Sequence, residues 1–158
     1  ALTIAPFSCS SSNRGIFAGG STPTYSNTIQ YITISSTGNT SDFGDLTVAR
    51  GYNGGCSNPT RGVFGGGVTP TKVNTIDYVT IASTGNAQDF GDLTAASSDS
   101  NSCSSSNRGF FAGGYTPTVL NTIQFITISS TGNAQDFGDL LLSITQLAAC
   151  SDSHGGLG

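Results

Sequence analysis

A repeat of 47 residues constrains this chain more than any other feature of its sequence. The stretch from Arg61 to Leu93 recurs on both sides of itself without an insertion or deletion. The markers of the period stand at Arg14, Arg61 and Arg108, at Asn27, Asn74 and Asn121, and at Phe43, Phe90 and Phe137. A period of this length predicts a modular fold built from copies of one supersecondary unit.

The period divides the 158 residues into three full units and the opening of a fourth. The units are residues 1–47, 48–94 and 95–141, and residues 142–158 begin the next one. Because a solenoid or propeller unit buries its apolar faces against its neighbours, we expect the copies to stack on one another. The incomplete unit predicts pairing with another copy of the chain or with further repeats of a longer chain.

The composition favours an all-β fold. Only 9% of the residues are charged, and Glu, Met and Trp are missing, so few good helix formers are present. Branched and aromatic residues stand in short runs separated by Gly, Pro and Asn, which is typical of short strands joined by turns. We therefore expect very little helix.

Each unit contains four such runs. In the middle copy they cover residues 48–57, 61–67, 74–82 and 88–93, with a Thr-Pro-Thr loop at 69–71. The third run has bulky apolar residues at both alternations, which predicts a strand covered on both faces. Gly91 predicts a bulge that lets Phe90 and Leu93 both point inward. Four strands in 47 residues is the strand number and repeat length typical of a β-propeller blade.

Charge and length exclude several function classes. The net charge is −4, so the chain lacks the basic surface that nucleic-acid binding requires. No apolar stretch is long enough to span a membrane. Because general acid–base chemistry needs one tuned site and the repeats have diverged little, the sequence predicts neither an enzyme nor a cofactor.

The four cysteines, Cys9, Cys56, Cys103 and Cys150, are one repeat position seen four times. Equivalent positions on stacked sheets lie roughly 10 Å apart, which is too far for a disulfide. We expect small, partly buried thiols, and the spacing predicts no zinc site. A calcium site on the repeated Asp-Phe-Gly-Asp element, as at Asp89 and Asp92, is the less favoured alternative to aspartates that cap turns or pair with arginines.

The repeated arginines and aspartates predict ion pairs between neighbouring units. Their matching period favours pairing of a planar guanidinium with a carboxylate over a ring of cations that holds an acidic glycan. The pairing candidates are Arg14, Arg61 and Arg108 with Asp45, Asp92 and Asp139. The candidate ligand loops supply Thr22, Thr24, Tyr25, Thr69, Thr71, Lys72, Thr116 and Thr118.

These residues resemble a kelch blade. Phe64-Gly65-Gly66 is similar to the apolar-Gly-Gly end of the second kelch strand, and Ile76-Asp77-Tyr78 is similar to the third strand. Arg50 resembles the arginine of the first strand, and Phe90 stands where kelch blades place tryptophan. The resemblance implies kelch-like β-propeller blades with four antiparallel strands in each repeat.

The stretch from Arg61 to Leu93 also resembles repeats of phage tail-fibre-like and virion structural proteins. This resemblance implies a non-enzymatic structural protein of a virion appendage or extracellular filament, which assembles through unpaired blade edges with further copies of itself. The alternative is a propeller module that binds a cell-surface glycan through its loops. Either function implies an extracellular or virion location.

Overall fold

The computed structural model of the chain describes residues 7–151, without the side chain of Thr22. Within that range the chain forms β-strands and no helix, which confirms the predicted all-β class. Among these residues no helix is therefore long and apolar enough to cross a bilayer. The strands form three four-stranded antiparallel sheets and one small hairpin.

Each sheet is a meander in which consecutive long strands pair, so every sheet comes from one 47-residue unit. Sheet 1 contains β1 (Phe7–Ser10), β2 (Arg14–Ala18), β5 (Thr28–Thr33) and β6 (Ser41–Asp45). Its loop forms the hairpin of β3 (Ser21–Thr22) and β4 (Thr24–Tyr25). Sheet 2 contains β7 (Gly54–Ser57), β8 (Arg61–Gly65), β9 (Thr75–Thr80) and β10 (Gln88–Asp92). Sheet 3 contains β11 (Asn101–Ser104), β12 (Arg108–Ala112), β13 (Thr122–Thr127) and β14 (Gln135–Asp139).

The predicted bulge is present in the fourth strand. The register between β10 and β9 shifts between Asp89 and Gly91, and Gly91 has a φ of 143°. A glycine adopts this backbone conformation without the steric cost that a side chain would add. The extra residue brings Phe90 and Leu93 to the same side, where both are buried, as predicted.

The hydrophobic core consists of two clusters, and each lies between neighbouring sheets. The first joins Ile16, Ile29 and Phe43 of sheet 1 to Phe64 and Ile81 of sheet 2. The second joins sheet 2 to sheet 3 through residues that include Val63, Ile76, Phe90, Phe111 and Ile128. Full burial of one such side chain contributes roughly 1.5–3 kcal/mol, so the stacking of the sheets is a major source of stability.

Sheet 2 is covered on both faces because it lies between the other two sheets. In β9, Ile76 and Asp77 face opposite sides and both are buried, as the pattern of its apolar residues predicted. The equivalent β5 of sheet 1 is more open, and its Gln30 is exposed. Burial of the third strand therefore depends on a neighbouring sheet as well as on its sequence.

The first strands of the three sheets lie side by side, β1 next to β7 and β7 next to β11. The hydroxyl of Ser57 donates to the carbonyl of Ser10 at 2.7 Å, and that of Ser104 donates to the carbonyl of Ser57 at 2.7 Å. A Cβ added at Gly55 would lie 2.9 Å from the carbonyl oxygen of Ser8. This close approach explains why the first strand of each unit is rich in small residues.

The chain after sheet 3 follows the same path as the links between the sheets. The amide of Gly114 donates to the carbonyl of Ile144, just as the amide of Gly67 donates to the carbonyl of Ser97 one repeat earlier. No strand is assigned to residues 142–151, and the rest of the predicted fourth unit lies outside the described residues.

Candidate functional site

Two of the three repeated arginines connect their own sheet to the next. The guanidinium of Arg14 lies over the ring of Tyr31 in its own sheet, 4.6 Å from the ring centroid. Its Nη1 donates to the carbonyl of Ile81 in sheet 2 at 2.7 Å. Arg61 repeats both contacts, over Tyr78 at 4.6 Å and to the carbonyl of Ile128 at 3.0 Å. Because a ring holds each guanidinium in place, the arginine is ordered for its hydrogen bond across the interface.

The third arginine keeps only half of this arrangement. Arg108 lies 4.7 Å from the centroid of Phe125, but within residues 7–151 it donates to no carbonyl of another sheet. Its side chain is exposed. The missing contact is the one that would reach the sheet after sheet 3.

The arginines do not form the predicted pairs with Asp45, Asp92 and Asp139. The ion pair found within the described residues joins two other side chains, Arg50 and Asp77. The aspartates lie on the fourth strands, whereas Arg14 and Arg61 reach the carbonyls that follow the third strands of the next sheet. These two arginines therefore do join the units, but through carbonyl oxygens instead of carboxylates.

The edges of the fourth strands of sheets 1 and 2 are capped by a turn of the following sheet. At the edge of β6, the amides of Gly85 and Ala87 donate to the carbonyls of Phe43 and Asp45 at 2.7 and 2.8 Å. The amide of Asp45 in turn donates to the side-chain oxygen of Asn86 at 3.1 Å. The cap satisfies backbone groups that a free sheet edge would leave open.

The same cap recurs between sheets 2 and 3. Gly132 and Ala134 donate to the carbonyls of Phe90 and Asp92, again at 2.7 and 2.8 Å. Asn133 accepts from the amide of Asp92 at 3.1 Å. The sequence indicated a turn here but not this role, although an asparagine returns in every copy, at Asn39, Asn86 and Asn133.

A buried ion pair distinguishes sheet 2 from the other sheets. Nη1 of Arg50 lies 3.0 Å from Oδ2 of Asp77, and neither side chain is exposed. Nη1 makes no hydrogen bond of good geometry, so the contact is ionic, while Nη2 donates to the carbonyl of Phe64 at 3.2 Å. Burial lowers the pKa of Arg50, and the charge of Asp77 opposes that shift. Asp77 also accepts from the amide and hydroxyl of Thr47, at 3.1 and 2.7 Å.

The sequence contained a signal for this pair. Arg50 and Asp77 are both exceptions to the repeat, and both occur in the middle copy. One repeat later the acid is replaced by Gln124, whose side-chain oxygen accepts from the amide and hydroxyl of Thr94 at 2.7 and 2.8 Å. Two exceptions in one unit are the pattern expected of residues that depend on each other.

The cysteines are free thiols, with Cys9 and Cys56 buried and Cys150 exposed. A Cβ added at Gly62 would lie 2.6 Å from Sγ of Cys9, and one added at Gly109 would lie 2.5 Å from Sγ of Cys56, so these two thiols pack directly on a glycine of the next sheet. Burial raises the pKa of Cys9 to about 12 and also raises that of Cys56. These two thiols are therefore protonated at neutral pH and poorly suited to nucleophilic chemistry.

The four cysteine positions line one cavity beside the first strands of the sheets. Its volume is about 410 Å³, and its walls come from β1, β2, β7, β11 and residues 149–151. Cys9, Cys56, Cys103 and Cys150 all contribute to it. In the part of the chain that the structure describes, no group of three or more His, Cys or Asp side chains is placed to hold a metal ion.

A smaller cleft lies between the loops of sheets 2 and 3. It has a volume of about 270 Å³, and its walls include Tyr52, Thr71, Lys72, Asp99 and Tyr115. The ammonium of Lys72 lies 4.3 Å from the centroid of the Tyr115 ring. Two of the candidate ligand residues, Thr71 and Lys72, therefore meet residues of the next unit in one cleft.

The other candidate loop residues do not meet there. Thr69 and Thr116 close their own turns with the carbonyls of Thr71 and Thr118. Thr24 and Tyr25 belong to β4 at the equivalent place in sheet 1. The side chain of Thr22 lies outside the described residues.

No protein-family model and no curated protein matches this chain. The resemblance to kelch blades and to tail-fibre repeats stays a prediction.

Proposed function

We propose that this chain is a non-enzymatic structural repeat protein, a subunit or part of a virion appendage of the tail-fibre type or of an extracellular filament. The observation that carries the proposal is the use of the repeated side chains to join sheets. Arg14 and Arg61 each reach across an interface to a carbonyl. Cys9 and Cys56 each pack on a glycine of the next sheet.

The proposal treats the three sheets as kelch-like propeller blades around a common axis. Each sheet is a four-stranded meander, which is the form of a blade. The first strands lie together around one cavity, while the fourth strands lie at the opposite edges of their sheets. An inner first strand and an outer fourth strand are the radial order that a propeller requires.

Repetition also supports a structural role over catalysis. The contacts of Arg14, Asn86 and Phe43 recur 47 residues later with closely similar distances or burial. A catalytic centre combines different groups at one place, whereas these groups are distributed as equal copies along the stack.

The test of this proposal is the mass of the purified 158-residue chain as its concentration rises. Static light scattering and electron microscopy are expected to show association into rings or filaments. A particle with the mass of one chain at every concentration would contradict a self-assembling structural protein.

The second candidate function is recognition of a cell-surface glycan, and the loop cleft favours it. Tyrosine rings give flat apolar surfaces, and an adjacent carboxylate can accept hydrogen bonds from sugar hydroxyls. Tyr52, Asp99 and Tyr115 provide these groups in one cleft.

A glycan array with the wild-type chain and the Tyr52→Ala and Lys72→Ala variants tests this candidate. Binding by the wild type that both variants lose would support it. An array without hits, or hits that both variants retain, would reject it.

A further inference from the structure

One face of sheet 1 resembles half of an interface. In the stack, the leading face of a sheet is the face that receives the preceding sheet, and it includes a phenylalanine and an isoleucine. In sheet 1 these are Phe17 and Ile34, which are 37% and 51% exposed. Their equivalents in sheets 2 and 3 are nearly or fully buried, at Phe64, Phe111, Ile81 and Ile128.

The opposite face of sheet 3 is the other half. The trailing face of a sheet, which packs on the next one, includes the repeated phenylalanine of the fourth strand. Phe43 and Phe90 are each 2% exposed, whereas Phe137 is 53% exposed. The same face includes Arg108, the arginine that lacks a carbonyl acceptor within residues 7–151.

The open sheet edges match as well. The carbonyls of Phe137 and Asp139 are equivalent to those that receive a cap in sheets 1 and 2, but no described residue caps them. The turn of sheet 1, with Gly38, Asn39 and Thr40, is equivalent to the turns that provide the caps. In the described residues this turn is exposed and caps no strand.

We infer that the trailing face of sheet 3 docks on the leading face of sheet 1 of a second copy, head to tail. This inference rests on the proposed structural function and specifies its interface. Arg108 then donates to the carbonyl of Ile34, and the amides of Gly38 and Thr40 cap the edge of β14. Both halves are complementary because the same residue positions already join sheet 1 to sheet 2 and sheet 2 to sheet 3.

The polarity of the contact follows from its donors and acceptors. The guanidinium belongs to the trailing face, and the carbonyl that accepts from it belongs to the leading face. Two leading faces would bring no arginine together with an acceptor, and two trailing faces would oppose their arginines. A contact between unlike faces generates a ring if its rotation closes and a filament if it does not.

One segment of the first copy has to be displaced when the second copy docks. Residues 149–151 line the inner cavity beside β11, at the place where the docking copy brings its own β1. Residues 148–151 are exposed and form no strand, whereas β1 pairs with β2 along its whole length. Residues 148–151 are therefore displaced by β1 of the second copy, and the hydrogen bond from Asn101 to the carbonyl of Leu147 is lost.

The experiment blocks one face at a time in the 158-residue chain. Ile34→Asp places a charge on the leading face, and Phe137→Asp places one on the trailing face. Because each face is needed by one partner, each variant alone is expected to associate about thirtyfold or more weakly than the wild type, the loss typical of an interface hot spot. An equimolar mixture of the two variants keeps one intact pair of faces, so it is expected to form particles of two chains and no larger ones in sedimentation velocity.

The control is Val48→Asp in the link between β6 and β7, where the side chain is 42% exposed although sheets 1 and 2 are already packed together. This variant is expected to associate as the wild type does, and circular dichroism of all three variants checks that they are folded. Association of either blocked variant at wild-type strength would overturn the inference, and so would a mixture that stays as single chains. If the wild type associates but this pattern is absent, the interface is wrong and the structural function stands. If the wild type does not associate, both fail.

Discussion

The guanidinium of Arg50 lies 3.0 Å from the carboxylate of Asp77, and both side chains are completely buried. The pair connects the chain that enters sheet 2 to the third strand of that sheet. Sheet 3 has Ser97 and Gln124 at the equivalent positions and forms the same strand without an ion pair. The fold of the unit therefore does not require the charges, but each charge in sheet 2 requires the other.

We expect removal of either charge alone to destabilise the protein strongly. Arg50→Met leaves a buried carboxylate without its cation, and Asp77→Gln leaves a buried guanidinium without its anion. Loss of one partner of a buried ion pair costs about 3–5 kcal/mol in the free energy of unfolding. Urea unfolding of each variant measures the loss.

The double variant Arg50→Met, Asp77→Gln is the decisive comparison. We expect it to lie within about 1 kcal/mol of the wild type, because an apolar side chain and a glutamine avoid the desolvation of both charges. Gln124 shows that an amide accepts from the threonine as Asp77 does. A double variant as unstable as the sum of the single ones would show that the two residues act independently.

The second prediction concerns the contact between thiols and glycines. A Cβ at Gly62 would lie 2.6 Å from Sγ of Cys9, closer than packed atoms come. We expect Gly62→Ala to reduce the free energy of unfolding by about 1–3 kcal/mol through overpacking. Thermal unfolding followed by circular dichroism measures this effect.

Two further variants separate overpacking from other effects. Gly15 is the equivalent glycine of sheet 1, where the atom nearest an added Cβ is Cγ1 of Ile32 at 3.2 Å. Gly15→Ala is therefore expected to lower the free energy of unfolding by less than Gly62→Ala does. Gly62→Ala is also expected to be less destabilising in a Cys9→Ala chain than in the wild type. The same loss of stability in both chains would rule out the thiol as the cause.

The third prediction compares two arginines with and without an acceptor. Arg61 lies over Tyr78 and donates to Ile128, whereas Arg108 lies over Phe125 without reaching a further sheet. At concentrations where the chain is monomeric, we expect Arg61→Ala to lower the free energy of unfolding by about 1.5–3 kcal/mol more than Arg108→Ala does, the value of a hydrogen bond from a charged donor. Equal costs in chemical denaturation would mean that the bond across the interface contributes nothing.

The fourth prediction concerns alkaline pH. Burial raises the pKa of the Cys9 thiol from its ordinary value of 9.0 to about 12. The unfolded chain loses this proton at lower pH than the folded chain does. The contribution of the protonated thiol to the free energy of unfolding is therefore complete below pH 9.0 and is lost as the pH rises toward 12. We expect the free energy of unfolding of the wild type to fall by up to about 1.4 kcal/mol per pH unit in that window because of this thiol.

The measurement compares the wild type with Cys9→Ala at about pH 8 and about pH 10.5, where the difference in slope reports the thiol. The variant is expected to lose less stability than the wild type between the two conditions. Identical pH dependence of the two chains would contradict a protonated, buried Cys9.

Much of each unit was predictable because its signals are local. The period, the alternation of apolar residues and the glycine of the bulge predicted the second, third and fourth strands of sheet 2 to within two residues at each end. Phe90 and Leu93 were predicted as neighbours on one side of the bulge, and both are buried. These features depend on residues within a few positions of each other.

The contacts between units were not predictable in the same way. Equal spacing suggested that Arg61 would pair with an aspartate, but the side chain reaches the carbonyl of Ile128. A backbone carbonyl has no sequence signature, because every residue supplies one. The use of Asn86 to cap an edge is equally invisible until the edge is in place.

By itself, the sequence determined the all-β class and the second, third and fourth strands of the repeat, since both follow from local backbone preferences and the alternation of side chains. Only the tertiary structure decided how sheet meets sheet. Phe43, Phe90 and Phe137 occupy one repeat position, yet only the third is exposed, because no described sheet packs against it. Burial and hydrogen-bond partners depend on what lies across an interface, which the residues of one unit do not encode.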